Sequence, residues 1–248
     1  MKHHQPGIHI QSYDVITDEH GGSLEAWWGQ ATVHVKAQDG DMPCMVANEL
    51  ICSRLAAALG LPVLPGEVAT HPDRRLCWAT PQIKYAGLTP PPPLLSEIVA
   101  TYSSTAAGAL VFDCWVLNED RHEDNFLFHK NLGMWLIDHE NALAGRQGER
   151  FESLHAHPTP LLGYHCFRDA SLNNDDVQYW VRHVRSVSEV VVDLALNEAN
   201  DRGLITKARA AILKKVLIRR RNGIGSLVSR FVQKADGTGP VEQLDILA

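Results

Sequence analysis

The chain lacks what a membrane protein or a nucleic-acid binder would show. No run approaches the roughly 18 consecutive apolar residues of a membrane span, and the opening Met1-Lys-His-His-Gln-Pro has no apolar core of a signal peptide, so the expected compartment is the cytoplasm. Positive charge is in deficit: 23 lysines and arginines face 29 aspartates and glutamates, a formal net charge of -6. Nonspecific attraction to DNA, RNA or anionic lipid therefore has no electrostatic basis, and no membrane or nucleic-acid partner is expected. Cysteine is scarce and unpatterned. Cys44, Cys52, Cys77, Cys114 and Cys166 are odd in number, widely spaced and without a C-x-x-C pair, which excludes the usual zinc and redox motifs and predicts reduced, mostly buried thiols. There is no internal repeat. What remains is ordinary globular composition, 45% hydrophobic and 21% charged over 248 residues, enough to bury a core as one large domain or two small lobes.

The first third reads as strands and turns. Val15-Ile-Thr-Asp-Glu-His-Gly-Gly-Ser predicts a strand running into a glycine turn, and Ala31-Thr-Val-His-Val-Lys36 alternates as a second strand before Asp39-Gly-Asp. Leu50, Ile51, Leu55, Ala58 and Leu59 recur at helical spacing, predicting a helix from Ala47 to Leu59 that Gly60 stops. Extended segments follow at Leu61-Pro-Val-Leu-Pro, Glu67-Val-Ala-Thr and Cys77-Trp-Ala-Thr-Pro-Gln-Ile. The Pro90-Pro-Pro-Pro93 run cannot be helical and marks a surface connection. Beyond it the pattern turns helical. Ser104 is expected to cap a helix from Thr105 to about Leu117, and long amphipathic helices are expected over Asp176 to Asn197 and Thr206 to Lys234. Between them Phe126-Leu-Phe-His, the turn Lys130-Asn-Leu-Gly133 and Met134-Trp-Leu-Ile-Asp138 form a hairpin pattern. The divisions are a strand-rich N-terminal lobe over 1–84, a helical lobe over 85–236 and a tail over 237–248.

Chemistry concentrates in Asn118-Glu-Asp120-Arg-His-Glu-Asp-Asn125 and Trp135-Leu-Ile-Asp138. Phosphoryl transfer from ATP needs a carboxylate near the attacking hydroxyl, hard oxygen ligands for magnesium and a cation on the phosphates. A catalytic-loop aspartate, an asparagine five residues on and a second aspartate after the next hairpin supply the first two. Asp120, Asn125 and Asp138 meet that spacing, and the hairpin would return Asp138 beside the loop. Upstream, Lys36 closes a strand and Glu49 lies in the first turn of the following helix, a separation at which the two can form an ion pair. Gly21-Gly22-Ser23 lies where a phosphate-covering turn would be needed, because glycine lets backbone N–H groups approach phosphate oxygens. Gln82, in the strand leading out of the lobe, is counted with the nucleotide-binding residues.

These residues carry a family resemblance. Asp113-Cys-Trp-Val-Leu-Asn-Glu-Asp-Arg-His-Glu-Asp-Asn with Leu136-Ile-Asp-His resembles the HipA-like kinases and, more distantly, the D-R-H-x-x-N signature of phosphatidylinositol kinases. Val35-Lys36, Asn48-Glu49-Leu50 and Leu59-Gly-Leu-Pro-Val are similar to that family's nucleotide-lysine strand and first helix, so the resemblance spans about Gly21 to Ala142. It implies an α+β, two-lobed protein-kinase-like fold with a small β-rich N-terminal lobe and a mainly helical C-terminal lobe. It also implies Asp120 as catalytic aspartate, Asn125 and Asp138 on magnesium, Lys36 on the ATP phosphates and Glu49 orienting the lysine. ATP and Mg2+ are the implied cofactors, and a hydroxyl-bearing acceptor, a protein serine or threonine or a small molecule, the implied substrate. His139-Glu140 follows Asp138 where ordinary protein kinases carry Phe-Gly. The chain is short for a full-length HipA toxin, so an antitoxin partner does not transfer with the resemblance.

Three other readings compete. His122, Asp138 and His139 would form the site of a metal-dependent hydrolase, but their spacing matches no H-x-x-x-H or H-E-x-x-H scheme. Outside that reading His122 is a structural histidine bonding the loop backbone, and His155 and His157 are loop residues. A nucleotide-binding pseudokinase or scaffold would use the same fold without turnover, yet has no need of the Asp120 position. The basic residues Lys214, Lys215 and Arg219-Arg-Arg221 could contact RNA or an acidic partner, yet on a helix flanked by Leu213, Val216, Leu217 and Ile218 they read as a solvated face.

Overall fold

The computed structural model describes residues 7–8, 10–15, 26–84, 93–129 and 133–233. The Gly21-Gly22-Ser23 turn, Pro90 to Pro92, the 130–132 hairpin turn and the 237–248 tail lie outside the described residues.

Among the described residues the N-terminal part holds seven strands, interrupted by one helix after the fourth: β1 (Gly7–Ile8), β2 (Ile10–Val15), β3 (Trp27–Ala31), β4 (Val33–Ala37), β5 (Glu67–Thr70), β6 (Leu76–Pro81) and β7 (Ile83–Lys84). β2 pairs antiparallel with β3, with Val15 opposite Trp27, and β1 pairs with β7. The strand expected from Ala31 to Lys36 is β4, the edge of a separate sheet ordered β4-β6-β5, so the partner of β2 is instead the Trp27–Ala31 run. Alternation along β4 gives it two different faces. Val33 and Val35 stay exposed on one face, while His34, itself exposed, and the half-buried Lys36 line a cavity on the other.

The helix α1 (Met45–Ala58) crosses this sheet. Its apolar residues lie on every side and nearly all are buried, because the β-sheet covers one flank and a C-terminal helix the other. Each fully buried Leu or Ile there contributes about 1.5–3 kcal/mol. The chain turns out of α1 through Gly60, whose φ of +70° suits a residue without Cβ.

The rest is α2 (Leu95–Thr101), α3 (Ser103–Val116), the hairpin β8 (Phe126–His129) and β9 (Gly133–Leu136), then α4 (Phe151–Ala156), α5 (Asn174–Ser186), α6 (Glu189–Asp201), α7 (Lys207–Asn222) and α8 (Ile224–Gln233). Every residue of α3 from Ala106 to Val116 is buried, and α2, α5, α7 and α8 pack around it. At Gly108 a Cβ would stand 2.6 Å from the Trp180 ring and 2.7 Å from Leu61, so glycine permits the close approach of α5.

Several expectations need correction. Ser104 is not the cap of α3, which begins one residue earlier after Tyr102; its carbonyl accepts from Trp180 Nε1 at 2.7 Å. Each long amphipathic run is two helices. Val187 turns extended (ψ 126°) and Ser188 starts α6, which swings over to α1 while α5 stays on α3. Gly223 separates α7 from α8. His155 lies in α4. Arg220 does not belong to a solvated face. It is fully buried, and its Nε donates to the carbonyls of Cys114 (3.1 Å) and Trp115 (3.0 Å) at the C-terminal end of α3. All five cysteines are free thiols, four of them buried.

Candidate active site

β4 delivers Lys36, α1 delivers Glu49 and the end of β9 delivers Asp138 to one point. Lys36 Nζ lies 3.3 Å from Glu49 Oε1, 2.6 Å from Asp138 Oδ1 and 3.3 Å from Glu140 Oε2. The hairpin is fastened to the strand-rich half by a Val63–Leu136 bridge and by the Leu136 N–H donating to the Pro62 carbonyl at 2.7 Å. Asp138 follows with φ at 61°, a left-handed conformation that aspartate tolerates better than most residues. That backbone ends the strand and turns the carboxylate to Lys36. Strained residues of this kind cluster at functional sites.

The segment after Asp138 is stitched to the start of α1. The His139 N–H donates to Glu49 Oε2 at 3.1 Å, Asn48 Nδ2 to the Glu140 carbonyl at 2.7 Å and the Cys44 N–H to the Arg146 carbonyl at 2.9 Å. Glu49 is thus held from both sides. Burial opposes its charge, but the His139 hydrogen bond and the neighbouring Lys36 outweigh it and hold the carboxyl below its ordinary range. Burial likewise opposes the charge on Lys36, and Glu49, Asp138 and Glu140 together raise its pKa above the ordinary lysine value.

A cavity of about 410 Å³ opens beside this cluster, within the size range of small-ligand sites. Lys36, Glu49, Gln82 and Asp138 line it together with apolar walls that include Leu64 and Leu136. Asp120 and Asn125 are not among its lining residues. They sit in the loop after α3, where Asn125 Nδ2 donates to the Asp120 carbonyl at 2.6 Å and Asn141 Nδ2 donates to Asp120 Oδ2 at 2.7 Å. Asn141, three residues beyond Asp138, so connects the two acidic segments.

A buried polar cluster lies under the loop. Asp113 and Arg121 are wholly buried and joined at 2.7 Å, with His165 Nε2 at 3.1 Å and Asn118 Nδ2 at 3.1 Å from the Asp113 carboxylate. Burial opposes the Asp113 charge, and Arg121 and His165 more than compensate, so its carboxyl is held well below the usual carboxylate range. His165, which burial pushes below the ordinary histidine value, is the buried histidine beneath this loop. His122 is not: its ring is partly exposed, 3.8 Å from Asp124.

Among the described residues, the ligand-type side chains that approach within 4.8 Å of one another are Glu49, Asp138 and Glu140. Neither His122 nor His139 joins them, which leaves the hydrolase reading without its ligand set. Asp113, Arg121, Glu140, Asn141 and His165 were not singled out from the sequence. His165 carries no local signal at all, because 44 residues separate it from Arg121.

By sequence, no family model and no curated protein matches this chain. By structure, it is similar to the Helicobacter pylori proinflammatory kinase CtkA, with a TM-score of 0.57 and 12% identity over 89% of this chain and 96% of that one. It also matches a chain of the Shewanella oneidensis MR-1 toxin–antitoxin complex of HipA, HipB and operator DNA, with a TM-score of 0.47 and 13% identity over 85% of this chain and 63% of that one. The fold is the α+β, two-lobed kinase-like fold. The kinase-like fold expected from the sequence is thereby shown at the level of architecture.

Proposed function

We propose that the chain is a Mg2+- and ATP-dependent phosphotransferase acting on a hydroxyl acceptor, with a protein serine or threonine as the favoured acceptor. The observation that carries this reading is the meeting of Lys36, Glu49 and Asp138 at the wall of one cavity. A strand lysine paired to a helix glutamate beside a metal-binding aspartate is the arrangement phosphoryl transfer demands. The similarity to a protein described as a kinase supports it.

In this reading the cavity takes ATP, with Gln82 and the apolar walls around the base and ribose and Lys36 on the phosphates. The donor set suits magnesium, since Asp138 offers a carboxylate and Asn125, whose Nδ2 is engaged with Asp120, offers its amide oxygen. Magnesium, when bound, would neutralise phosphate charge. Lys36 would exchange Asp138 for phosphate oxygens while Glu49, fixed by His139, keeps its direction. Asp120, anchored by Asn141, would orient the acceptor hydroxyl and take its proton as the oxygen bonds to the γ-phosphorus and the bond to ADP breaks. Glu140 is a third carboxylate beside Lys36 that helps hold it in place. The lobe division near residue 84 and the phosphate-covering role of Gly21, Gly22 and Ser23 belong to the same proposal.

The test is titration of ATP with and without magnesium, followed by a labelled γ-phosphate assay. Magnesium-dependent binding, with transfer abolished in Asp138→Asn and Asp120→Ala, is expected. Binding with no transfer to any hydroxyl would favour the pseudokinase; absence of nucleotide binding would sink the reading.

A further inference from the structure

Arg121 has no solvent exposure, yet it carries a full charge and distributes it unusually. Nε and Nη2 grip Asp113, at 2.7 and 3.2 Å from its two carboxylate oxygens. Nη1 turns the other way and donates to two backbone carbonyls at once, Asn125 at 2.8 Å and Ile137 at 2.6 Å. The first is the carbonyl of one proposed magnesium ligand. The second is the carbonyl of the residue immediately before the other. The Ile137 N–H adds a bond to the same Asn125 carbonyl at 3.2 Å, so the loop and the strand end meet at a single nitrogen.

Resting on the phosphotransferase reading, we infer that Arg121 is a positioning residue that sets the separation of the two magnesium ligands, Asn125 and Asp138. It touches neither nucleotide nor acceptor. A purely structural ion pair would need only Asp113, and a buried pair of that sort adds little stability over apolar residues of similar volume. Two carbonyls from different elements on one guanidinium nitrogen instead fix the distance between segments otherwise joined by the hairpin, the Ile137–Asn125 backbone bond and the Asn141–Asp120 bond. Asp113 aims the guanidinium from α3, and His165 and Asn118 in turn hold Asp113. Groups that orient metal ligands from behind typically change metal affinity by about 10- to 100-fold when altered.

The test is a charge-balanced double variant, Asp113→Asn with Arg121→Met, which leaves no unpaired buried charge. Folding is checked by circular dichroism and thermal melting, and metal binding by titrating Mn2+ against the ADP-bound protein with paramagnetic resonance detection. The expected result is a folded protein that binds ADP alone as the wild type does, while the half-saturating Mn2+ concentration rises about 10- to 100-fold. Unchanged Mn2+ affinity in the folded double variant overturns the inference. Arg121→Lys, which keeps the charge beside Asp113 but cannot reach both carbonyls, is the second variant, with the same expectation. If both variants lose the fold, Arg121 serves stability alone and the inference falls. Wild-type protein that shows no metal-dependent nucleotide binding removes the phosphotransferase reading itself, an outcome separate from wild-type binding that both variants retain.

Discussion

At the scale of single residues, Lys36 is the side chain on which the cavity's charge turns, since three carboxylates converge on it. Replacing it with Met is expected to lower phosphotransfer efficiency roughly 10²- to 10³-fold, as loss of a preorganised charge at a reacting group does; steady-state kinetics at saturating magnesium would check it. Asp113→Asn alone strands a buried guanidinium, and a loss of about 3–5 kcal/mol is expected from urea unfolding. Acid sensitivity follows from this cluster together with Glu49. His165, Glu49 and Asp113 all have folded pKa values below their ordinary values of 6.5, 4.5 and 3.8, so each binds protons more readily in the unfolded chain. Stability from each is present above its ordinary value and is lost as pH falls through the folded one. The urea midpoint is therefore expected to decline in two stages, first below the histidine value and then more steeply below the carboxylate values, and His165→Gln should remove the first stage. Lys36, Glu49 and Asp138 could be named as candidates from sequence because each sits at a recognisable place in a locally legible strand, helix or hairpin pattern. Arg121 could not be given its part, because an arginine in a polar loop reads as solvated until the fold shows it enclosed.

Among elements, α3 is the one the others surround. Gly108→Ala would push a methyl group into Trp180 and Leu61, and overpacking of that kind costs about 1–3 kcal/mol, measurable as a lower melting temperature with secondary structure retained. The mirror case is Arg220 in α7, which satisfies the last carbonyls of α3 with a positive charge where the helix dipole favours one. The Lys214–Arg221 run illustrates the limit of periodicity. Lys214 and Arg221 reach acidic partners near the surface while Arg220 is enclosed, and a cluster of like charges gives no sign of which member points inward. The splitting of each amphipathic run into two helices has a similar cause. The apolar rhythm continues across Val187–Ser188 and Gly223, but packing on different neighbours requires a change of direction there.

For the whole molecule, the proposed ligand site joins a strand-rich half to a helical half, so a nucleotide bound there would resist their separation. With Mg-ATP at about 100 times its dissociation constant, ~2.7 kcal/mol of added stability is expected. That corresponds to a rise of roughly 5–10 °C in melting temperature for a chain of this size. Scanning calorimetry should show the rise with Mg-ATP and not in Lys36→Met. Sequence alone determined the hairpin and the first helix, which rest on local periodicity, and the class of fold, which the motif resemblance implied; it offered Glu49, Asp120 and Asp138 as candidates for the site. Tertiary structure decided which polar residues are enclosed, that Lys36, Glu49, Gln82 and Asp138 share one cavity while Asp120 and Asn125 stand outside its lining, and that Arg121 binds two distant carbonyls. Those relations join residues far apart in the chain, and burial, which gives a charge its partner and its energetic weight, exists only once the elements have packed.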